Sequence, residues 1–233
     1  MSFSLTLSNL LTQTRVFLRD TATTASRQRF SDSQLTDFLN DGQKEFNAKI
    51  WAVISATPIV LTAGTTEYSL PTDNISVLRV TFKHTPLVER TFSFFDESNT
   101  DWISSSGTPH SYYVRVDSSI VAGVARESIG FIPISTFSTT CHVYFLDQPT
   151  DLSASGDVPF GSDNRRLYPF HHGLAFYGAY RGFLTMGLLQ EAIIYLKEYE
   201  NIISLAESFN KTRNMFNPNL RGSMPIVTPQ PQQ

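Results

Sequence analysis

The sequence is poor in several features that commonly reveal a protein's chemistry, beginning with cysteine and charge. Its 233 residues include a single cysteine, Cys141, so no disulfide can form within the chain. Cys141 lies in an apolar run typical of a strand, and we expect a small buried residue rather than a reactive thiol. Charged residues make up only 17% of the chain, with 18 Lys and Arg against 21 Asp and Glu. Proteins that bind DNA through its phosphates normally have a basic excess, which is missing here.

Sequence motifs for catalysis and cofactor binding are also missing. The chain has no phosphate-binding glycine loop, no dinucleotide fingerprint and no nucleophile elbow. The polar residues from Asp37 to Gly42 lack the alternating spacing of a calcium loop, and we expect them on the solvated face of a helix. His171 and His172 would point about 100° apart on a helix, so we interpret them as packed or surface residues rather than metal ligands. We therefore predict a protein that is not an enzyme and uses no cofactor or metal.

No hydrophobic run is long enough to cross a membrane. The longest apolar stretch, near residues 50–61, is interrupted by Ser55, Thr57 and Pro58. A membrane-spanning helix needs about 20 mostly apolar residues. We expect no membrane partner.

Two amphipathic helices are predicted at the N-terminal end. The first has an apolar face built at spacings of three and four residues by Leu7, Leu10, Leu11, Thr14, Phe17 and Leu18. After a polar loop, Ser31 and Gln34 have the spacing of a capping box. The stripe that follows consists of Leu35, Phe38, Leu39, Gly42, Phe46 and Ile50. Pro58 excludes further helix.

The middle of the chain has the period of two that is typical of strands. Residues 59–61, a turn at Ala63-Gly64 and residues 66–70 are predicted to form a hairpin. Further strands are predicted at 78–82, 112–116, 119–124, 128–132 and 140–146, with a short helix between Ser93 and Trp102. Short strands separated by turns indicate a small sandwich or barrel.

Two more helices are predicted after a polar loop at residues 151–164. The first covers 166–186, where Pro169 is tolerable only in the opening turn. The second has one apolar face formed by Leu188, Ala192, Tyr195, Tyr199, Ile202, Ala206 and Phe209. We therefore predict an α+β fold, in which the terminal helices pack as a bundle, an antiparallel β lobe is inserted between them, and an extended tail follows. The predicted domains are a bundle of residues 1–56 and 164–213, a lobe of residues 57–163, and an arm of residues 214–233.

The predicted arm differs in composition from the rest of the chain. It has four prolines and one charged residue, Arg221, so it cannot be helical and should be extended. It also contains apolar side chains that are unusual in a solvated tail, namely Met215, Phe216, Leu220, Met224, Ile226 and Val227. We expect this segment to lie on a partner, in the manner of an added strand.

In its order of features the chain resembles the head–tail connector, or adaptor, family of tailed phages, especially the short-tailed ones. The segments that carry this resemblance are Arg29–Leu35, Leu39–Gln43, Thr62–Pro71, Val77–Val80, Trp102, Gly107–Pro109 followed by Tyr112-Tyr113, Ile129–Pro133 and Val143–Phe145. They are followed by Pro149 and the two C-terminal helices.

The resemblance implies a homo-oligomeric ring, commonly twelve-fold, beneath the portal protein of a DNA-filled head. Helical bundles would form its wall, tail or nozzle proteins would bind it, and genomic DNA would pass through the channel without sequence-specific binding. The protein would assemble in the host cytoplasm and reside in the virion at the head–tail junction. The arm residues named above would dock on the portal. The bundle and ring faces would comprise Leu35, Phe38, Leu39, Phe46, Tyr195, Tyr199, Ile202 and Phe209.

Two alternatives remain at the level of sequence. The chain could be another tail-completion or baseplate component of a virion. It could also be a carbohydrate-binding or small-ligand-binding module with Trp102, Tyr112 and Tyr113 as stacking aromatics, which would require all three rings to be exposed on one surface.

Overall fold

The computed structural model describes residues 5–22, 28–72, 74–98, 101–121 and 124–215. The helices are α1 (Leu7–Leu18), α2 (Asp32–Ile50), α3 (Phe92–Ser98), α4 (His172–Thr185) and α5 (Leu189–Met215). The strands are β1 (Ile54–Leu61), β2 (Glu67–Ser69), β3 (Asn74–Phe82), β4 (Thr85–Pro86), β5 (Val88–Glu89), β6 (Ser106–Gly107), β7 (Ser111–Val121), β8 (Val124–Ile132), β9 (Ile134–Ser135) and β10 (Thr139–Asp147). Helices together with largely antiparallel sheets confirm the predicted α+β class.

The chain divides into two compact units. The helical unit consists of Met1–Ala52 and Pro149–Gln233, and the β unit of Val53–Gln148. The Ser-, Gly- and Asp-rich loop that follows Pro149 belongs to the helical unit, whereas the sequence pattern groups it with the β lobe. The reason is a set of hydrogen bonds from α2, described below.

Helix α2 begins at the predicted capping box. The Gln34 backbone N–H donates to Ser31 Oγ over 3.1 Å, and the Ser31 backbone N–H donates to Gln34 Oε1 over 3.0 Å. Each side chain thus satisfies a backbone donor that the first helical turn leaves without a partner. The local sequence signal and the observed helix start agree.

Helix α4 packs against α1, α2 and α5, and glycines make the close approaches possible. A Cβ at Gly182 would lie 2.6 Å from Leu18 Cδ2 of α1, and one at Gly42 of α2 would lie 2.7 Å from Tyr177 Cδ1. Side chains larger than hydrogen would separate these helices. These glycines therefore let side chains of the neighbouring helix pack directly on the helix backbone.

The start of α4 differs from the prediction of one helix over 166–186. Residues Arg165–Phe170 form a 3₁₀-helix that contains Pro169, and α4 begins only at His172. Proline lacks the N–H that an α-helix needs and crowds the preceding turn, so the regular helix starts after it.

Two buried amides of α2 hold the loop that follows the β unit. Gln43 Nε2 donates to the Thr150 carbonyl over 2.9 Å, and Gln43 Oε1 accepts from the Phe160 N–H over 3.0 Å. Asn40 exchanges two hydrogen bonds with the backbone of Leu152, at 2.8 and 3.2 Å. We call Asn40 and Gln43 the amide clamp. Of the residues predicted on a solvated face, Asp37 and Asp41 are exposed, but Asn40 and Gly42 are buried, so the prediction is wrong for these two.

A partly buried ionic cluster connects α1 to the start of α2: Arg15 and Asp20 are buried, whereas the Asp32 side chain is 71% exposed. The Arg15 guanidinium donates to Asp20 Oδ2 at 3.0 Å, to Asp32 Oδ1 at 2.6 Å and to the Phe30 carbonyl at 3.0 Å. Asp20 also accepts the backbone N–H groups of Arg29 and Phe30. Each end of the intervening loop is therefore anchored to α1.

The β unit is a sandwich of two four-stranded sheets. One sheet has the order β1-β10-β3-β4 and the other β2-β8-β7-β5, with a separate short pair β6-β9. Strands β1 and β10 run antiparallel from Ile54 opposite Leu146 to Leu61 opposite Thr139. Side chains from both sheets form one core that includes Leu61, Val80, Ile129, Phe131, Cys141 and Val143. The buried position of Cys141 confirms the prediction for this residue.

The predicted hairpin at 59–70 is wrong, because its two strands belong to different sheets. Strand β1 pairs with β10, whereas β2 pairs with β8. The turn at Ala63-Gly64 therefore carries the chain from one sheet to the other. The Tyr68 hydroxyl holds this crossing by accepting the Thr62 N–H over 2.7 Å.

The strands predicted at 112–116 and 119–124 are largely one strand, β7. It pairs antiparallel with β8 from Ser111 opposite Ile132 to Val121 opposite Val124, with an irregular register after Asp117. The polar residues 117–119 look like a turn in the sequence, but they occupy a bulge-like irregularity within the strand.

Candidate assembly surfaces

Most of the residues predicted to form the bundle and ring faces lie inside the helical unit. Leu35, Leu39, Phe46 and Tyr199 are completely buried, and Ile202 is 9% exposed. The Tyr199 hydroxyl donates to the Gly42 carbonyl over 2.9 Å, and its ring lies 4.9 Å from that of Tyr177. These side chains hold α2, α4 and α5 together and are not accessible to a neighbouring copy.

The other three predicted face residues lie toward the surface. Phe38 and Tyr195 are half-buried, and Phe209 is 45% exposed. Tyr195 stacks on Phe183 with ring centroids 5.3 Å apart, and Phe209 contacts Phe170 at 5.8 Å. Phe209 is exposed because α5 has 27 residues and α4 only 14, so α5 extends well past its main packing partner.

An exposed apolar patch surrounds the turn from α4 to α5. Five large aliphatic side chains with exposed fractions from 41% to 59% form it, and we call them the turn patch: Leu184, Leu188, Leu189, Ile193 and Ile194. Residues 182–190 include no charged side chain. Clustered exposed apolar side chains mark a contact with another molecule more often than single exposed leucines do, and these five fall within residues 184–194. The sequence pattern, which predicts Leu188 on a buried face, does not identify this patch.

The β unit has a second apolar surface on its edge strand. Ile54, Ala56, Pro58 and Val60 alternate along β1 on the side away from the core, and all four are exposed. An antiparallel sheet with one solvated face normally presents polar residues there. Pro58 also disfavours the pairing of another strand with this edge, because proline has no backbone N–H to donate.

The stacking aromatics of the ligand-binding alternative are buried. Trp102, Tyr112 and Tyr113 are 8%, 3% and 5% exposed. Trp102 packs with Phe95 at 5.2 Å, and the Tyr113 hydroxyl donates to Glu67 Oε1 over 2.9 Å. Burial and this carboxylate raise the pKa of Tyr113. Tyr112 thus belongs to the sandwich core, and Trp102 and Tyr113 to a second buried cluster with Phe95 and Ile132. The exposed aromatic platform that the alternative requires does not form.

The side chains considered as a metal ligand or a reactive thiol, His171 and Cys141, are also buried in the protein interior. His171 is fully buried against Phe160 and Tyr168, and burial lowers its pKa to about 4. Burial raises the pKa of the Cys141 thiol to about 12. Over the described ranges, no three His, Cys, Asp or Glu side chains converge as a metal site would require. In the same part of the chain, the helices lack the combination of length and hydrophobicity that a membrane span requires.

The predicted docking arm falls outside the described residues, except for its first member. Met215 is the last residue of α5, so the helix continues past the predicted arm start at Asn214. The arm residues Phe216, Leu220, Met224, Ile226 and Val227 are not among those that the structure describes.

The described residues present apolar surfaces suited to protein–protein contact, and the comparison with known families shows the class of protein. The family model of the SU10 adaptor protein matches residues 5–222, which is nearly the whole chain. The chain therefore belongs to the SU10 adaptor protein family, a family of phage head–tail adaptors. Family membership makes it a bacteriophage structural component of the head–tail junction. No curated protein matches the chain.

Proposed function

We propose that the protein is a non-enzymatic adaptor that forms a ring beneath the portal and links the DNA-filled head to the tail. Copies of the chain, the portal protein and tail or nozzle proteins are its partners, and DNA passes through the central channel. Assembly takes place in the host cytoplasm. The observation that carries the proposal is the family match over residues 5–222, in a chain whose helical unit exposes the turn patch.

The charge of the chain suits passage of DNA. With 18 basic and 21 acidic residues, the protein has a net charge of −3. A channel wall rich in Lys and Arg would bind phosphates and retard the moving DNA. A channel built from a protein without a basic excess would leave DNA mobile. Burial of apolar surface would supply the affinity between subunits.

We further propose that residues 216–233 dock on the portal. Truncation after Met215 keeps α5 whole and removes most of the predicted docking side chains. The truncated protein should fold as the full chain does, but it should no longer co-sediment with portal rings of the same phage. Undiminished co-sedimentation would contradict the docking role.

A substitution variant of full length tests whether the apolar side chains of the arm, rather than its length, are needed for portal binding. Replacing Phe216, Leu220, Ile226 and Val227 by Ser should abolish portal binding, because the apolar contacts are lost. Replacing the polar residues Gln230, Gln232 and Gln233 by Ser serves as the matched control and should leave binding intact.

The ring itself is tested by electron microscopy of the purified protein with portal rings. We expect a closed ring of adaptor subunits coaxial with the portal. A protein that stays monomeric alone and in the presence of portals would refute the proposed function.

A further inference from the structure

Helices α1 and α5 pack on different sides of α4. Thr14 and Leu18 of α1 contact α4 at Gly178 and Gly182, whereas α5 contacts it at Gly173, through Ile202. Tyr199 of α5 meets α4 at Tyr177. The contacts with α1 at Gly178 and Gly182 lie about 140° around α4 from those with α5 at Gly173 and Tyr177. Phe176 lies between the two sets, with its ring 5.1 Å from that of Phe17 in α1 and 6.3 Å from that of Tyr195 in α5. Their outer faces therefore point in different directions.

The outer face of α5 is apolar and acidic in its first three turns. It exposes Leu189, Ile193 and Ile194 of the turn patch. Three exposed glutamates, Glu191, Glu198 and Glu200, accompany them, against one exposed lysine, Lys197. A partner for this face must offer apolar contact and must not be acidic, because like charges brought together oppose association.

The outer face of α1 meets both requirements. Val16 is 56% exposed, and the exposed Arg19 follows within one helical turn. No acidic residue occurs from Leu5 to Arg19. The nearest carboxylate in sequence, Asp20, is buried and bonded to Arg15. Asp32, at the start of α2, is 71% exposed but is paired with Arg15 of α1 at 2.6 Å. The outer face of α1 itself is thus uncharged or basic and complements the outer face of α5.

The two faces lie at the same end of the helical unit. Phe17 of α1 contacts Tyr195 of α5 with ring centroids 5.5 Å apart, and Leu18 packs at Gly182 near the end of α4. Val16 and Arg19 are therefore level with the start of α5. Copies arranged side by side around an axis bring such faces together without a shift along that axis.

We infer that the outer face of α1 in one copy packs against the outer face of α5 in the next, and that this contact closes the ring; the inference rests on the proposed function. Two unlike faces make the interface heterologous, which is the kind that generates rings. Because α1 and α5 lie on different but not opposite sides of α4, a row of subunits joined through their outer faces curves toward closure rather than running straight.

Thiol cross-linking tests this pairing directly. Val16→Cys and Ile194→Cys place one exposed cysteine on each face, and the native Cys141 is buried and does not compete. With a short bismaleimide, a mixture of the two single variants should give covalent dimers. The double variant V16C/I194C should give a ladder of linked oligomers, because every subunit then carries both reactive faces.

A matched control uses α2 instead of α1. The variant A48C/I194C has the same number of exposed thiols, with Ala48 exposed on α2, and should give no ladder. Self-linking of either single variant would indicate a symmetric contact and overturn the inference. So would rings that form normally from a mixture of the V16C and I194C variants without any linked dimer, a result that leaves the proposed function intact.

Charge exchange provides an independent measurement. Arg19→Glu alone and Glu198→Arg alone should each reduce the ring fraction in sedimentation at least tenfold at low salt. The double variant should restore it, because the complementary charges are exchanged across every interface. Lack of restoration in a folded double variant would count against the pairing. Absence of rings in the parent protein, with and without portals, would refute the proposed function and the inference together.

Discussion

Replacement of Gln43 by Leu should destabilise the helical unit by about 2 kcal/mol. The side chain is fully buried, and it bonds the Thr150 carbonyl and the Phe160 N–H at 2.9 and 3.0 Å. A buried group left without its hydrogen-bond partner costs about 1–3 kcal/mol. The N–H of the buried Phe160 would lose its acceptor and cause this cost. The carbonyl of Thr150, an exposed residue, can bond water instead. A loss of about 2 kcal/mol corresponds to roughly a thirtyfold change in the unfolding equilibrium.

Two measurements check this prediction. Urea unfolding followed by circular dichroism at 222 nm reports the helical unit, and amide hydrogen exchange reports the individual bonds. The Phe160 amide should exchange faster in Gln43→Leu, while the Leu152 amide, bonded to Asn40 Oδ1, should keep most of its protection. Gln190→Leu, at an exposed position of α5, is the matched control and should change stability by less than about 0.5 kcal/mol. Unchanged protection of Phe160 in the variant would refute the role given to the amide clamp.

Three further substitutions have defined outcomes. Because burial lowers the pKa of His171 from 6.5 to about 4, only the unfolded chain binds a proton between these values. Stability should therefore fall by about 3 kcal/mol as the pH drops through this window, and His171→Phe should remove that part of the pH dependence. Gly42→Ala should cost about 1–2 kcal/mol in urea unfolding, because the new methyl group meets the Tyr177 ring. Arg15→Met should cost about 3 kcal/mol in urea unfolding, because Asp20 stays buried without its cation.

Each of these substitutions has a control of the same type. His142→Phe, at an exposed position, should leave the difference between pH 6.5 and pH 4 unchanged. Gly156→Ala adds a methyl group in open space and should be nearly neutral, as should Arg19→Met at an exposed site. A pH profile that is the same with and without His171, or losses in the variants no larger than in their controls, would show that the cited contacts do not carry the stability.

The α+β class and the first two helices could be predicted from sequence because their signals are local. The Ser31–Gln34 capping box and the apolar stripe of α2 each depend on residues within a few turns. The prediction for α4 started too early, since Pro169 ends up in a 3₁₀-helix rather than in the opening turn of a regular helix. The hairpin prediction at 59–70 was wrong because a turn fixes only the local reversal of the chain, not which sheet receives the next strand.

The contacts that organise the helical unit are distant in sequence and could not be predicted. Gln43 bonds residues more than one hundred positions away, and nothing in its immediate sequence distinguishes it from a solvated glutamine. The turn patch was missed for a related reason. The predicted stripe of α5 identifies its buried side, whereas Leu189, Ile193 and Ile194 lie off that stripe and are exposed. The assignment of individual residues to portal docking and ring contact remains a prediction.

Ile54 pairs with Leu146, so the first and last strands of the inserted β unit begin and end next to each other. A segment whose two ends are already hydrogen-bonded to each other can be exchanged for another without stretching the scaffold that carries it. Replacement of residues 53–148 by a short glycine linker should thus yield a smaller protein that retains its helices.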